Sequence, residues 1–141
     1  MSVFLDKADQ IAARLKVDPG LSSVVVLVDR QKDMAAEFPK AMGKAKGGVV
    51  IILFDGYRPD SGDYPQADDA LVSNFSITVW TKPVLRRGQP PADDLVEAIH
   101  TSLHGWKQED CRFRAVVRRG RIINNPRFLI HELQLEIKHL P

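Results

Sequence analysis

The sequence predicts an α+β fold: a single domain over residues 1–141, with a mainly antiparallel four- to five-stranded sheet packed against helices. Three observations predict it. Residues 3–16 and 92–105 carry apolar side chains at helical spacing. Residues 75–80 (FSITVW) and 128–138 (FLIHELQLEIK) alternate with period two, which gives a strand one core face and one polar face. A chain of 141 residues with 44% hydrophobic and 27% charged content has the make-up of one ordinary globular domain. At that size roughly two-thirds of the unfolded chain's surface is buried without a disulfide or metal staple.

The first helix follows from Phe4, Leu5, Ala8, Ile11, Ala12 and Leu15, and Asp18-Pro19-Gly20 stops it, because proline disfavours helix at the residue before it. Residues 23–28 (SVVVLV) and 48–54 (GVVIILF) are continuous apolar runs, the pattern of strands buried on both faces. Between them residues 32–44 hold a helical candidate that Pro39 is expected to kink or split. Residues 56–70 are dense in Asp, Pro, Gly and Ser and are expected to form a long loop. In the strand at 75–80, Phe75, Ile77 and Val79 face the core, and Trp80 falls on the polar side, at the sheet end or against a partner.

A basic loop at 82–91 leads into the second helix. Pro90 and Pro91 precede it, Asp93 and Asp94 suit its positive N-terminal end, and Leu95, Ile99, Leu103 and Trp106 form its inner stripe, with Gly105 as the C-terminal cap. Residues 111–118 read as a strand with Cys111, Phe113, Ala115 and Val117 on one face and Arg112, Arg114 and Arg118 on the other. Arg119-Gly120 and then Asn124-Asn125-Pro126 are expected to bend the chain. In the last strand Leu129, Leu133, Leu135 and Ile137 are assigned to the apolar face, and Ile130, Glu132, Gln134, Glu136 and Lys138 to the polar one.

Composition narrows the function classes. A net charge of +2 is too mild to argue nucleic acid by itself. Its distribution is more telling: Asp55, Asp60, Asp63, Asp68 and Asp69 cluster in the middle, Arg112, Arg114, Arg118, Arg119 and Arg121 cluster late, and Arg86 and Arg87 precede them. The single cysteine, Cys111, cannot form an internal disulfide and reads as a small buried strand residue. The N-terminus carries Asp6, Lys7 and Asp9 where a signal peptide needs an apolar stretch, and the longest apolar run is too short to span a bilayer, so a cytoplasmic site is expected.

No complete catalytic constellation is present. His100 and His104 lie four apart on a helix, a spacing that can share a metal, but a zincin motif needs Glu where Thr101 stands, and solvent-facing histidines near a helix end are expected instead. Residues 43–48 hold glycines and lysines but lack the Ser/Thr of a phosphate loop and precede a strand, not a helix. Pro59-Asp60 with Glu136-Ile137-Lys138 has the outline of a restriction-type nuclease, in which carboxylates hold Mg²⁺ against a phosphate. There, however, the two parts sit on neighbouring strands, whereas Asp60 falls in the loop far upstream. The acidic loop lacks EF-hand order, and no nucleophile elbow occurs. The arginine cluster has two readings: a solvated strand face, or a contact surface for an acidic patch or DNA.

The order of elements, with NFSITVWTKP, DDLVEAIHTSLHGW and the terminal FLIHELQLEIK, resembles the small tail-terminator (tail-completion, minor tail) proteins of long-tailed bacteriophages and prophages. The resemblance spans most of the chain as a pattern. It implies a structural protein, not an enzyme, that forms a homo-oligomeric ring, commonly a hexamer, at the head-proximal end of the tail. The ring caps the tail tube protein and joins it to the head–tail connector protein. It further implies assembly in the host bacterial cytoplasm and a place in the virion tail, with no cofactor, metal, membrane or small-molecule substrate. A ring needs a heterologous interface, one patch meeting a different patch. Separated charges suit it: Arg112, Arg114, Arg118, Arg119 and Arg121 on a basic rim, Asp60, Asp63, Asp68 and Asp69 on an acidic loop. The alternatives are another small head–tail connector or adaptor of the same particle, and the Mg²⁺-dependent nuclease.

Overall fold

The computed structural model of the chain describes residues 3–29, 34–44, 47–59, 71–82, 92–107, 113–123 and 125–139. Among the described residues three α-helices and five strands follow in the order α1 (Val3–Lys16), β1 (Val24–Asp29), α2 (Met34–Lys44), β2 (Gly48–Pro59), β3 (Leu71–Thr81), α3 (Ala92–Leu103), β4 (Phe113–Ile123) and β5 (Leu129–His139). They build one five-stranded sheet of order β1-β2-β3-β5-β4. β1 runs parallel to β2 and every other pairing is antiparallel, so the expected α+β class holds with a mixed sheet.

The two continuous apolar runs become the parallel pair because helices cover both of their faces. On one face Val26, Val50, Ile52, Phe75, Ile77, Val79, Leu133, Leu135, Ile137 and Ala115 pack against α1 and α3. Ala8, Ile11 and Leu15 of α1 and Leu95, Ile99 and Leu103 of α3 point into this core and are all fully buried. Each such large aliphatic contributes about 1.5–3 kcal/mol relative to exposure. On the other face α2 sets Ala41 and Met42 against Val49 and Ile51. α2 lies over the β1–β2 side and reaches β3 and Phe128 through Phe38. Beside it Trp80 packs inside the chain, edge-on to Phe38 at 5.0 Å and to Phe128 at 5.5 Å between ring centroids.

Four expectations change. Of the kink or split expected at Pro39 the split does not occur, and α2 is one helix with Pro39 inside it. Proline removes the bond to the carbonyl four residues earlier, here that of Ala35, and Ala35 is exposed, so water can satisfy that carbonyl. β2 continues to Pro59, past the expected start of the loop, and β3 begins at Leu71. Arg119-Gly120 is no turn: β4 runs on to Ile123 through a bulge. The reversal comes after it, where the Asn125 side-chain oxygen accepts from the Arg127 and Phe128 N–H groups at 2.9 and 3.2 Å. Elsewhere α1 stops before Pro19 and Gly105 caps α3, as expected. Asp18 accepts from the Gly20 N–H at 2.8 Å, opening a 3-10 turn at Pro19–Leu21, and its second oxygen accepts from the Ser102 hydroxyl, tying the end of α1 to α3. Gly105 ends α3 with φ +80 and donates to the Ala115 carbonyl at 2.8 Å.

Candidate functional site

Across β3, β5 and β4 the face opposite α1 and α3 is polar. It is built from Asn74, Ser76 and Thr78, from Glu132, Gln134, Glu136 and Lys138, and from the arginines of β4. Strict alternation along β4 would leave Arg119 and Arg121 on the core side. The bulge prevents this. Val117 pairs with Leu135 but Arg119 with Gln134, so Arg118 is the extra residue. Past it Arg119 and Arg121 face the polar side, Gly120 faces Leu133, and Arg114, Arg118, Arg119 and Arg121 share one surface.

A second bulge does the same on β2. Phe54 pairs with Phe75 and Tyr57 with Ser73, so Asp55 and Gly56 together oppose Asn74, with Gly56 at φ +108. Arg58 thereby pairs with Val72 on the polar face. Its guanidinium crosses β3 and reaches Glu136 Oε1 on β5 at 3.3 Å. Val72, the strand partner of Arg58, is an apolar residue on the polar face and is buried nonetheless.

Glu136 is the hub. Its Oε2 accepts from Arg118 Nε at 2.8 Å while Oε1 faces Arg58, so one half-buried carboxylate ties β2, β5 and β4. Glu132 accepts from Arg121 Nε at 3.1 Å. Arg114 and Arg119 are exposed and make no ion pair among the described residues. Arg114, Arg118 and Lys138 border a depression of about 190 Å³ with Val116 and Glu136. Arg58, Arg114, Arg118, Arg119, Arg121 and Lys138 stand against Asp55, Glu132 and Glu136, so the surface is net basic after its internal pairs are made.

Of the residues proposed from the sequence, Arg114, Arg118, Arg119 and Arg121 come together here. Arg112, Asp60, Asp63, Asp68 and Asp69 lie outside the described residues. Sequence reasoning missed Arg58 and the carboxylates that hold it and Arg118. The available signal was Gly56 directly after an apolar strand, a common bulge marker.

The other candidates resolve individually. His100 and His104 stack at 4.9 Å on the exposed side of α3, and His104 Nδ1 accepts from the Val117 N–H at 3.1 Å, so that imidazole anchors β4. No group of three or more His, Cys, Asp or Glu placed to hold a metal occurs among the described residues. Glu136, the carboxylate of the Glu-x-Lys outline, has both oxygens engaged by arginines, an arrangement that competes with Mg²⁺ for the same lone pairs. No described helix is long and apolar enough to cross a membrane.

No family model matches the chain, and no curated protein matches it. A solved structure that bears no functional name does match, at 10% identity and a TM-score of 0.57, over 96% of each chain. The likeness is one of fold. It shows that an arrangement of this kind occurs from end to end in another protein of nearly the same length, and nothing about what either does.

Proposed function

We propose that the chain is a structural assembly protein of a phage or prophage tail, a terminator that forms a ring on the tail tube and joins it to the head connector. One observation carries the proposal. The half of the sheet that no described helix covers gathers arginines from β2 and β4 onto one surface and leaves Arg114 and Arg119 without ion-pair partners among the described residues. A broad basic sheet face of this form is suited to a protein partner with an acidic surface, and arginine is the cation favoured at desolvated ion-pair contacts. In a ring that partner is the next copy, whose Asp60, Asp63, Asp68 and Asp69 cluster in the sequence apart from the arginines, and a heterologous contact needs two different patches. The tail tube and the connector then meet the two rims of the ring, and assembly takes place in the host bacterial cytoplasm. Another head–tail adaptor of the same particle would use the same face.

Negative-stain microscopy and light scattering on the purified protein, alone and with polymerised tail tubes, test this. Rings in solution or rings at tube ends are expected. A protein that stays monomeric and never binds tube ends would sink the proposal.

A further inference from the structure

A further depression among the described residues is on neither the arginine face nor the helical core. It lies where α2 meets the ends of β3 and β5, with a volume of about 530 Å³. Phe38, Pro39, Met42 and Gly43 of α2 make one wall, and Phe128 makes the other. Behind them Phe38, Trp80 and Phe128 form a triad of edge-on aromatic pairs, with Phe38 and Phe128 centroids 5.7 Å apart. Such a wall is rigid and apolar.

Two cations stand at the opening. Lys82 extends its ammonium over the Phe128 ring at 5.2 Å from the centroid, and Arg127, exposed, adjoins the same ring residue in sequence. Neither has an ion-pair partner among the described residues. Lys82 follows β3 and Arg127 precedes β5, so the charges come from two neighbouring strand ends. The exposed face of α2 adds Lys40 and Lys44 against one carboxylate, Glu37.

We infer that this pocket docks a partner chain through an extended acidic segment that inserts one large apolar side chain between α2 and Phe128. Charge complementarity and volume select that occupant. The apolar walls offer nothing to a phosphate backbone, while the two cations offer carboxylates beside the inserted group their counter-ions. The space falls within the roughly 300–1,000 Å³ of ordinary binding pockets, enough for a side chain with its backbone. Hot-spot anchors of this kind, one apolar group in a pocket ringed by polar contacts, carry much of the affinity of protein interfaces. The inference is independent of the tail-assembly proposal.

Trp80 makes the test direct, because a group entering the triad changes its surroundings. The acetylated, amidated peptide Glu-Asp-Phe-Asp-Glu is titrated into the unmodified protein, followed by tryptophan fluorescence and by calorimetry. Saturable binding is expected, at least tenfold weaker when the peptide's Phe is replaced by Ser. Lys82→Glu and Arg127→Glu are each expected to weaken it at least fivefold with an unchanged circular dichroism spectrum. Absence of saturable binding at millimolar peptide would overturn the inference. So would equal binding of the Ser peptide, which would mark charge attraction alone. Binding of 3-phenylpropionate as tight as that of the peptide would make this a small-acid site instead. A concentration-dependent shift of the protein alone that the peptide cannot reverse would assign the pocket to a second copy of this chain.

Discussion

Arg118 and Glu136 meet across the β4–β5 pairing at 2.8 Å, and Arg118 is the extra residue of a bulge. Regular pairing would also leave Arg118 on this face but would turn Arg119 and Arg121 to the core side. The same carboxylate holds Arg58 from the far side of β3. Two departures from regular pairing thus converge on one side chain.

The Arg118–Glu136 pair is expected to contribute little stability by itself. The Arg118 side chain is 61% exposed, so water and salt screen the pair, and exposed pairs typically couple by about 0.2–1 kcal/mol. A double-mutant cycle with Arg118→Ala and Glu136→Gln, read from urea midpoints, is expected to give a coupling at or below that range. A coupling of several kcal/mol would mean the pair is structural and the face is not available for docking.

The bulge on β2 rests on a backbone conformation that other residues adopt at a cost. Gly56 has φ +108, and a Cβ built on it meets nothing within 4 Å. Gly56→Ala therefore carries backbone strain without a clash, about 1–3 kcal/mol. A lowered urea midpoint with an unchanged slope is expected. An unaffected midpoint would show that the β2 end relaxes freely, and with it the crossing of Arg58 over β3.

His139 gives a pH dependence of known sign. It lies at the end of β5, within 2.9 Å of the Ser73 hydroxyl, and burial pushes its imidazole below the ordinary value of 6.5, with the Lys7 ammonium adding to the effect. The folded state then binds fewer protons than the unfolded one below that value. This contribution is complete above pH 6.5 and is lost as the pH falls through the depressed folded-state pKa. Carboxylates titrate in the same region, so the readout is a difference: His139→Gln is expected to lose less stability than wild type between pH 7.5 and 5. Equal losses would remove His139 from the acid response.

Much of the fold was legible in local pattern, and the reasons for the rest are physical. α1 and α3 followed from helical spacing, and β5 from period-two alternation, because each has one apolar face and one polar face. The parallel pair was legible only as two strands buried on both faces, since direction is set by how α2 crosses between them. Arg118 was legible as part of a basic face, but its tie to Glu136 was not. A bulge inserts a residue without a strong sequence mark, and at Arg119-Gly120 the glycine imitated a turn. The aromatic pocket was hidden for another reason: Phe38, Trp80 and Phe128 are far apart in the chain and converge only when the β1–α2–β2 unit closes on the sheet.

The arginine face divides into spent and unspent charges, and that division gives the sharpest test of its role. Arg118 and Arg121 hold carboxylates of their own chain, whereas Arg114 and Arg119 hold none among the described residues. Reversing a spent charge disturbs the protein internally, so its effect on assembly is ambiguous. Reversing an unspent one is not: surface changes away from specific contacts usually stay within about 0.5 kcal/mol of wild type. Arg114→Glu with Arg119→Glu is therefore expected to leave the urea midpoint nearly unchanged. Ring formation, or binding to tube ends, should fall at least tenfold, and more steeply at low salt, where the screening length is longer. Introducing a reversed charge at Asp60, Asp63, Asp68 or Asp69 on the acidic side should restore part of the loss if that patch is the counterpart. Intact assembly by the double variant would leave the arginine face a solvated surface, since neither charge has an ion-pair partner among the described residues.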